Sequence, residues 1–244
     1  MGMDSSSLDA LRIEPRAGRL TIQEIVYRRL SQALMTGQFD PGQTLTISYL
    51  ADLFGTSHMP VREALRRLVA ENALETATSG STLVPSATRP RLDDICNGRA
   101  LLEGAAAAQA LPNIDPPLMR ALEHNLVDHV AAGNEGQIVT MLQKNQEFHF
   151  LIYRAAHSDV LVQLIESLWL RFGPYLRMLS NHLEEHGGNS VEYTEHHRSA
   201  LAAIRAGDAE ALGRHMVDDI RATQALLQTL CVEEASRTGP ARRR

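Results

Sequence analysis

The stretch that decides the fold runs from Ile47 to Leu68 and reads ISYLADLFGTSHMPVREALRRL. Its apolar residues recur at helical spacing in two short segments, and Gly55 suits the end of the first helix. Ser57 stands at the N-cap position of a second helix, with Pro60 in its first turn. Two short helices joined by a tight turn, with arginines on the outer face of the second, form the helix-turn-helix pattern. The stretch therefore predicts DNA binding.

The flanking segments complete a small domain around this motif. A capping-box pattern and an apolar stripe predict a helix over residues 21–35. Two short strand candidates, residues 74–76 and 82–84, enclose a Ser/Gly-rich turn and predict a hairpin in the place of a wing. We therefore predict a winged helix-turn-helix domain over residues 20–85.

The rest of the chain is helical by pattern. Residues 91–234 contain about six amphipathic segments separated by Gly and Pro, and the fourth is expected to kink at Gly173-Pro174. The predicted fold class is mainly α, with an N-terminal winged helix-turn-helix domain and a C-terminal all-α helical bundle. Residues 86–90 are the predicted linker, and residues 1–19 and 235–244 are a predicted flexible arm and tail.

Composition restricts the class of protein. The 244 residues are 44% hydrophobic and 22% charged, so the chain can bury a core and is not disordered as a whole. Cys96 and Cys231 are far apart, which argues against a disulfide framework or a cysteine metal site. No signal peptide and no apolar run of membrane-spanning length is present. We expect a cytoplasmic protein.

The net charge of −5 is unusual for a DNA-binding protein. A domain that relies on bulk electrostatic attraction carries an excess of Lys and Arg, which residues 1–85 lack. Affinity must therefore come from a few placed arginines, doubled by dimerisation.

Three N-terminal motifs resemble a known family. They are GQFDPGQTL at residues 37–45, LADLFGTS at residues 50–57 and MPVREALRRLVAENAL at residues 59–74. They look like the winged-helix domain of the GntR family of bacterial transcription regulators. Three C-terminal segments, which begin at Arg99, Asn145 and His197, look like the helical ligand-binding domain named FCD in the FadR branch. The resemblance covers about residues 20–232.

The resemblance implies which residues contact DNA. Arg62 keeps an arginine of the family's recognition helix, whereas His58 stands where the family usually has arginine. The departure at His58 predicts an operator different from that of family members with the arginine-rich pattern. For Arg66, an ion pair with Glu63 or Glu71 at helical spacing is the alternative to a DNA contact. The predicted DNA-binding residues are Ser48, Ser57, His58, Arg62, Arg66 and Gly80.

A metal site is predicted in the C-terminal domain. Asn145 and His149 are four residues apart, so they lie on one helical face and can hold a metal ion if other helices complete the site. The resemblance adds His197 and Asp219, the latter at a position where the family has histidine. Such a set suits a divalent ion, Zn²⁺, Ni²⁺ or Mn²⁺. The alternative is that His149 and His197 are hydrogen-bonded core residues.

The same domain is expected to bind an effector. FCD regulators commonly sense small carboxylates, and Arg99 could hold a carboxylate with both of its terminal nitrogens. A salt bridge to Glu103 is the alternative for Arg99, while Arg171 and Tyr175 are weaker candidates. The histidines without ligand spacing are predicted to lie on the surface. They are His124, His129, His157, His182 and His186.

Three functions are compatible with these features. The leading one is a homodimeric regulator that binds a palindromic double-stranded DNA operator and responds to a small organic acid, with or without a metal ion. A metal-dependent helical enzyme with a DNA-binding appendage is the second. The third is a DNA-binding module whose helical part only dimerises. The sequence does not decide between repression and activation.

Overall fold

The computed structural model of the protein describes residues 21–186 and 194–237. The fold is mainly α, as the sequence predicted, and the helices form two domains with separate apolar cores. Among the described residues, no helix combines the length and the apolar character needed to cross a bilayer.

The N-terminal domain is a three-helix unit closed by a small antiparallel sheet. Its helices are α1 (Ile22–Met35), α2 (Ile47–Phe54) and α3 (His58–Ala70), and its strands are β1 (Thr44–Leu45), β2 (Glu75–Thr76) and β3 (Thr82–Leu83). Strand β3 lies between the other two, with Thr44 opposite Leu83 in one pair and Glu75 opposite Leu83 in the other. The β2–β3 hairpin agrees with the prediction from sequence, whereas β1, which is only two residues long, was not predicted.

The ends of the N-terminal helices follow local chemistry. The Thr21 hydroxyl accepts a hydrogen bond of 3.2 Å from the Glu24 amide and caps α1. The Thr46 hydroxyl caps α2 in the same way, through a 3.3 Å bond from the Tyr49 amide. Gly55 ends α2 with φ +62°, a left-handed conformation that glycine adopts without strain. The turn between α2 and α3 is therefore the predicted one.

The described part of the C-terminal domain contains six α-helices, in agreement with the predicted number. Their bounds are α4 (Arg89–Ala110), α5 (Pro116–Asn134), α6 (Ile138–Arg154), α7 (Asp159–His186), α8 (Glu195–Ala206) and α9 (Ala209–Arg237), and a short 3₁₀ turn (Leu111–Asn113) follows α4. Helix α4 packs most extensively against α9. Asp115 and Asp208 cap α5 and α9 through 2.8 Å bonds from the Leu118 and Ala211 amides.

Several boundaries differ from those expected. Helix α4 begins at Arg89, inside the predicted linker, because Pro90 lies in its first turn, where a missing N–H costs nothing. Helix α7 runs through Gly173 and Pro174 as one helix and ends at His186, three residues later than expected, and the kink at Gly173-Pro174 stays a prediction. Helix α9 extends through Arg237, beyond the predicted start of the tail. The predicted arm, residues 1–19, lies outside the described residues, as does the predicted start of α8 at residues 190–193.

The two domains are in direct contact through α1 and α7. Leu170 of α7 is buried in the core of the N-terminal domain. Gln32 of α1 donates a 2.7 Å hydrogen bond to Gln146 of α6, and Arg177 of α7 forms a 2.6 Å ion pair with Asp40. These contacts join the domains side by side, in addition to the short connection between them.

Candidate DNA-binding surface and effector cavity

Helix α3 presents a polar face away from the core. His58, Arg62 and Arg66 are spaced four residues apart, so they follow one another along this face, and all three are exposed. Each could reach a ligand that lies along the helix. The residues of α3 that are buried against the core are Val61, Ala64, Leu65 and Leu68.

The arginines of α3 differ in their partners. Arg66 forms a 2.8 Å ion pair with Glu63, the alternative that helical spacing had left open. Arg67 is paired with Glu71 at 3.0 Å, and its guanidinium lies over a tyrosine ring. Arg62 has no ion pair or hydrogen bond with any described side chain. Arg62 is therefore the arginine of α3 most available to an external anion.

The other predicted DNA-binding residues lie at three exposed places. Ser57 precedes α3 and makes no side-chain capping bond, so its hydroxyl remains available. Ser48 is exposed in the first turn of α2, and Gly80 lies at the tip of the β2–β3 hairpin with φ +83°. The assignment of these residues to DNA contact stays a prediction.

A cavity of about 310 Å³ lies inside the C-terminal domain. Helices α4, α5, α6, α7, α8 and α9 each contribute at least one residue to its wall. Most of the described wall is apolar or aromatic, and the polar groups are few, which is typical of a pocket for a small organic molecule. The apolar part includes Leu142, Trp169, Phe172, Leu176, Leu179 and Leu226.

Three potential metal ligands converge beside this cavity. One ligand atom each from His149, His197 and Asp219 lies within 4.8 Å of the others. The Nε2 atom of His149 is 3.1 Å from the Asp219 carboxylate and 3.3 Å from His197 Nε2. Both histidines are fully buried, and the side chain of Asp219 is 13% exposed. Helices α6, α8 and α9 thus each supply one ligand candidate, and Asn145, one turn before His149, lines the adjoining wall.

Hydrogen bonding determines the tautomer of His149. The Tyr153 hydroxyl donates its proton to Glu103 at 2.7 Å, so it can only accept at its 2.8 Å contact with His149 Nδ1. Nδ1 of His149 therefore carries a proton, and the electron pair of neutral His149 is on Nε2, facing Asp219 and His197. A cation between these electron-rich atoms, either a proton on Nε2 or a metal ion, satisfies the arrangement. An outer hydrogen bond that orients a ligand histidine is usual in metal sites.

Burial keeps His197 and His129 neutral at neutral pH. Desolvation lowers the pKa of His197 to about 3 and the pKa of His129 to about 4. Burial alone would raise the pKa of Asp219, but hydrogen bonding and charge from His149 outweigh it and hold that pKa well below its usual range. Neutral imidazoles and an ionised carboxylate are the forms that bind metal ions. The residues present therefore fit a divalent cation.

Arg99 lines the cavity, but its charge is already paired. Its guanidinium donates to Glu103 at 2.6 and 3.3 Å and lies against the rings of Trp169 and Phe172. Burial opposes the charge of Arg99, and the adjacent Glu103 outweighs burial, so the pKa of Arg99 is raised. Glu103 also accepts a 3.1 Å hydrogen bond from the Trp169 indole. The salt bridge that helical spacing had suggested as the alternative is the arrangement observed.

The two weaker effector candidates lie outside the described cavity wall. The Tyr175 hydroxyl donates a 2.8 Å hydrogen bond to the Thr88 carbonyl, just before α4. Tyr175 thus fastens α7 to the connection between the domains. Arg171 is partly buried on the same helix, and its Nε atom has no hydrogen-bond partner.

The prediction that His129 lies on the surface is wrong. Only 2% of this residue is exposed, it lines the cavity, and its ring centroid is 5.3 Å from that of His197. Its Nδ1 atom is buried without a partner. His129 follows Leu122 and Leu126 on the inner face of α5, and this spacing was the signal that could have revealed its burial. His124, His157 and His186 are exposed as predicted, and His182 is half-buried.

The fold and these two sites define a class of protein. A winged helix-turn-helix domain with an exposed recognition helix packs on a helical domain that encloses a ligand-sized cavity. This combination is typical of transcription regulators that bind DNA with one domain and a small molecule with the other.

Comparison with known proteins identifies the family. Residues 22–84 match the family described as "Bacterial regulatory proteins, gntR family", and residues 94–222 match the FCD domain. The chain belongs to the GntR family of bacterial transcription regulators and carries a C-terminal FCD domain. It is a DNA-binding regulator and not an enzyme, because its relatives are transcription regulators.

Individual relatives agree with this assignment. The chain is 34% identical over 201 residues to the HTH-type transcriptional regulator McbR of Escherichia coli K12. The aligned residues cover 82% of this chain and 89% of McbR. It is 27% identical over 192 residues to the uncharacterized HTH-type regulator YdhC of Bacillus subtilis 168, with 78% and 84% covered.

Solved structures show the same fold. The structure of E. coli McbR/YncC superposes with a TM-score of 0.79 at 30% identity and covers 86% of this chain and 99% of that one. A GntR regulator from Rhodococcus sp. RHA1 superposes with a TM-score of 0.69 at 18% identity, over 85% and 97% of the two chains, which supports the fold alone.

Proposed function

We propose that this protein is a ligand-responsive regulator of the FadR branch that binds a palindromic operator as a homodimer. Helix α3 enters the major groove, and Arg62 is its main contact. A small organic acid binds in the cavity of the FCD domain, next to a divalent metal ion held by His149, His197 and Asp219. The observation that carries the proposal is the convergence of these three ligands on an apolar cavity beside the DNA-binding domain.

The metal half of the proposal rests on the chemistry of the donor set. The tautomer of His149, fixed by Tyr153 and Glu103, leaves the electron pair of its Nε2 atom facing the Asp219 carboxylate and the ring of His197. Two imidazoles and one carboxylate, with Asn145 as a weak fourth candidate, suit Zn²⁺, Ni²⁺ or Mn²⁺. When bound, such an ion supplies a positive charge that attracts the carboxylate of the effector.

The coupling of the two sites rests on α7. One face of this helix supplies Trp169, Phe172 and Leu179 to the cavity wall. Another face supplies Leu170 to the core of the DNA-binding domain and Arg177 to the ion pair with Asp40. An effector that shifts α7 therefore changes the position of α3. We place the coupling in this contact as well as in the connection between the domains. The strength of the coupling is the free energy by which a ligand bound at one site changes the affinity of the other site.

The dimer is proposed from the electrostatics of the chain. A single domain with a few placed arginines and no basic excess gains affinity when two copies bind two half-sites. A regulator that acts on bacterial DNA works in the cytoplasm, which is the location that we propose.

Metal analysis tests the proposal and separates it from the alternative in which the helical domain only dimerises. Purified wild-type protein, an Asp219→Ala variant and an Asp218→Ala control are dialysed against Zn²⁺, Ni²⁺ and Mn²⁺ in turn. Asp218 is the exposed neighbour of Asp219, so the control removes the same charge outside the site. We expect the wild type and the control to retain one of these metals.

The Asp219→Ala variant should bind that metal at least about 10-fold more weakly, because it lacks one of the few ligands of the ion. Absence of all three metals from the wild-type protein would exclude the metal half of the proposal and favour the dimerisation module.

A further inference from the structure

A second cavity, of about 330 Å³, lies at the contact between the two domains. Gln32 and Met35 of α1 form its wall on the side of the DNA-binding domain, and residues of α6 and α7 form the remaining walls. Among the described residues, it shares no lining residue with the cavity inside the C-terminal domain. Its volume is in the range of small-molecule pockets, which are frequent between domains. This interdomain cavity is therefore a separate candidate binding site.

Two opposite charges on the wall of the interdomain cavity have no ion-pair partner among the described residues. The guanidinium of Arg154, on α6, forms no ion pair or hydrogen bond with them and lies 5.5 Å from the centroid of the Phe150 ring. The carboxylate of Glu166, on α7, likewise has no described partner, and no ion pair joins it to Arg154. The remaining charged residue of the described wall, Glu147, is already paired with Lys144 at 3.0 Å. The wall thus offers one cation and one anion to a ligand.

A buried amide on the same wall has a free hydrogen-bond donor. Only 6% of Gln146 is exposed, and its Oε1 atom accepts a 2.7 Å hydrogen bond from Gln32 Nε2. The Nε2 group of Gln146 makes no hydrogen bond with a described residue. Buried amide groups are almost always paired, so a molecule bound in the interdomain cavity is a natural acceptor for this group. Phe150 and Met35 add an apolar surface next to it.

We infer that the interdomain cavity binds an α-amino acid with an uncharged, apolar side chain. The carboxylate of the ligand accepts hydrogen bonds from Arg154 and Gln146, its ammonium group pairs with Glu166, and its side chain lies against Phe150 and Met35. A zwitterion supplies one charge for each unpaired charge of the wall, whereas a simple carboxylate or a simple amine leaves one of them without a partner. This ligand is additional to the effector of the proposed function and binds at a different place.

The position of this site connects it to the arrangement of the domains. Its walls come from α1 of the DNA-binding domain and from α6 and α7 of the C-terminal domain, which the hydrogen bond between Gln32 and Gln146 already joins. A ligand that needs both walls favours the relative position of the domains in which both walls are present. The amino acid therefore acts on the domain contact directly.

Calorimetry on the full-length protein tests this inference, with L-leucine, L-methionine and L-phenylalanine as probes. No zinc is added, because α-amino acids chelate it. We expect at least one probe to bind the wild type. Arg154→Gln and Glu166→Gln should each weaken its binding at least ~10-fold, because each substitution removes a charged hydrogen-bond partner. Arg120→Gln and Glu185→Gln are the matched controls, since they remove the same charges from exposed positions outside the cavity and should bind like the wild type.

Octanoate is the control ligand, because it has a carboxylate and an apolar chain but no ammonium group. It probes the cavity inside the C-terminal domain, whose described wall contains neither Arg154 nor Glu166. Both substitutions should therefore leave the affinity for octanoate unchanged. A general disturbance of α6 or α7 would instead weaken the binding of octanoate together with that of the amino acid.

The outcomes separate the inference from its alternatives. A loss of amino-acid affinity in both variants, with unchanged octanoate affinity, is the expected result. If none of the three amino acids binds the wild type, or if one binds and both variants bind it equally well, the inference is overturned and the proposed function stands. A loss in only one variant, or an equal loss for octanoate in Arg154→Gln, overturns the assignment of a zwitterion to the interdomain cavity.

Discussion

Arg62 differs from the neighbouring arginines of α3 because no described side chain neutralises it. Arg66 and Arg67 are held by Glu63 and Glu71, at 2.8 and 3.0 Å. Exposed pairs of this kind contribute little to stability, on the order of 0–1 kcal/mol, but they reduce the charge offered to an external anion. The DNA affinity of a protein with a net charge of −5 should therefore depend strongly on Arg62.

An Arg62→Ala substitution should weaken binding to DNA from the upstream region of the protein's own gene by about 10-fold or more, because a lost arginine contact costs ~1–3 kcal/mol. Arg28→Ala is the matched control, since Arg28 is exposed on α1, where it pairs with Glu24. Fluorescence anisotropy with a labelled fragment measures both. If the two variants bind equally well, Arg62 is not the main contact.

Residue-level prediction from sequence succeeded where the decisive interaction is local. The Arg99–Glu103 pair is four residues apart on one helix, so its possibility could be read from spacing. His129 was misassigned because its burial depends on a helix that is distant in sequence, although its spacing from Leu122 is helical. Which of several possible partners a side chain takes is decided by tertiary packing.

Helix α7 is the element that touches both sites. Its Leu176 borders the cavity, and its Gly173 lies against the backbone of Leu34 in α1. A Cβ atom on Gly173 would overlap the Leu34 carbonyl oxygen. Close backbone approach thus explains why a residue with low helix propensity is found inside a helix.

A Gly173→Ala substitution should lower the free energy of unfolding by about 1–3 kcal/mol, because the added methyl group meets backbone that cannot move without separating α1 from α7. Gly98→Ala is the control, since a Cβ there would meet only the end of the Leu168 side chain, at 3.3 Å. Urea denaturation compares the two variants. Equal stabilities would contradict the close contact between the domains.

The elements themselves could largely be predicted from sequence. Thr21, Gly55 and Asp208 mark helix ends by chemistry that acts within a few residues, and the structure places them there. The contact of α7 with α1 could not be predicted, because the apolar residues of α7 do not specify which helix covers them. The start of α4 was misplaced because Pro90 was interpreted as part of the linker, although proline is also favoured in a first helical turn.

At the scale of the whole molecule, two domains with separate cores share one helix contact. The DNA-binding surface and the cavity lie in different domains, so a ligand alters DNA affinity only if its binding energy differs between two relative positions of the domains. The packing of α7 on both the cavity and α1 provides a physical route for such a difference.

The most direct test of the central claim is the affinity of the zinc-loaded wild-type protein for its own upstream DNA, measured with and without saturating octanoate. Calorimetry first confirms that octanoate is bound. We expect the dissociation constant for DNA to change by about 5-fold or more, which is the usual lower range of coupling between two sites. An unchanged dissociation constant with octanoate bound in the cavity would contradict the account.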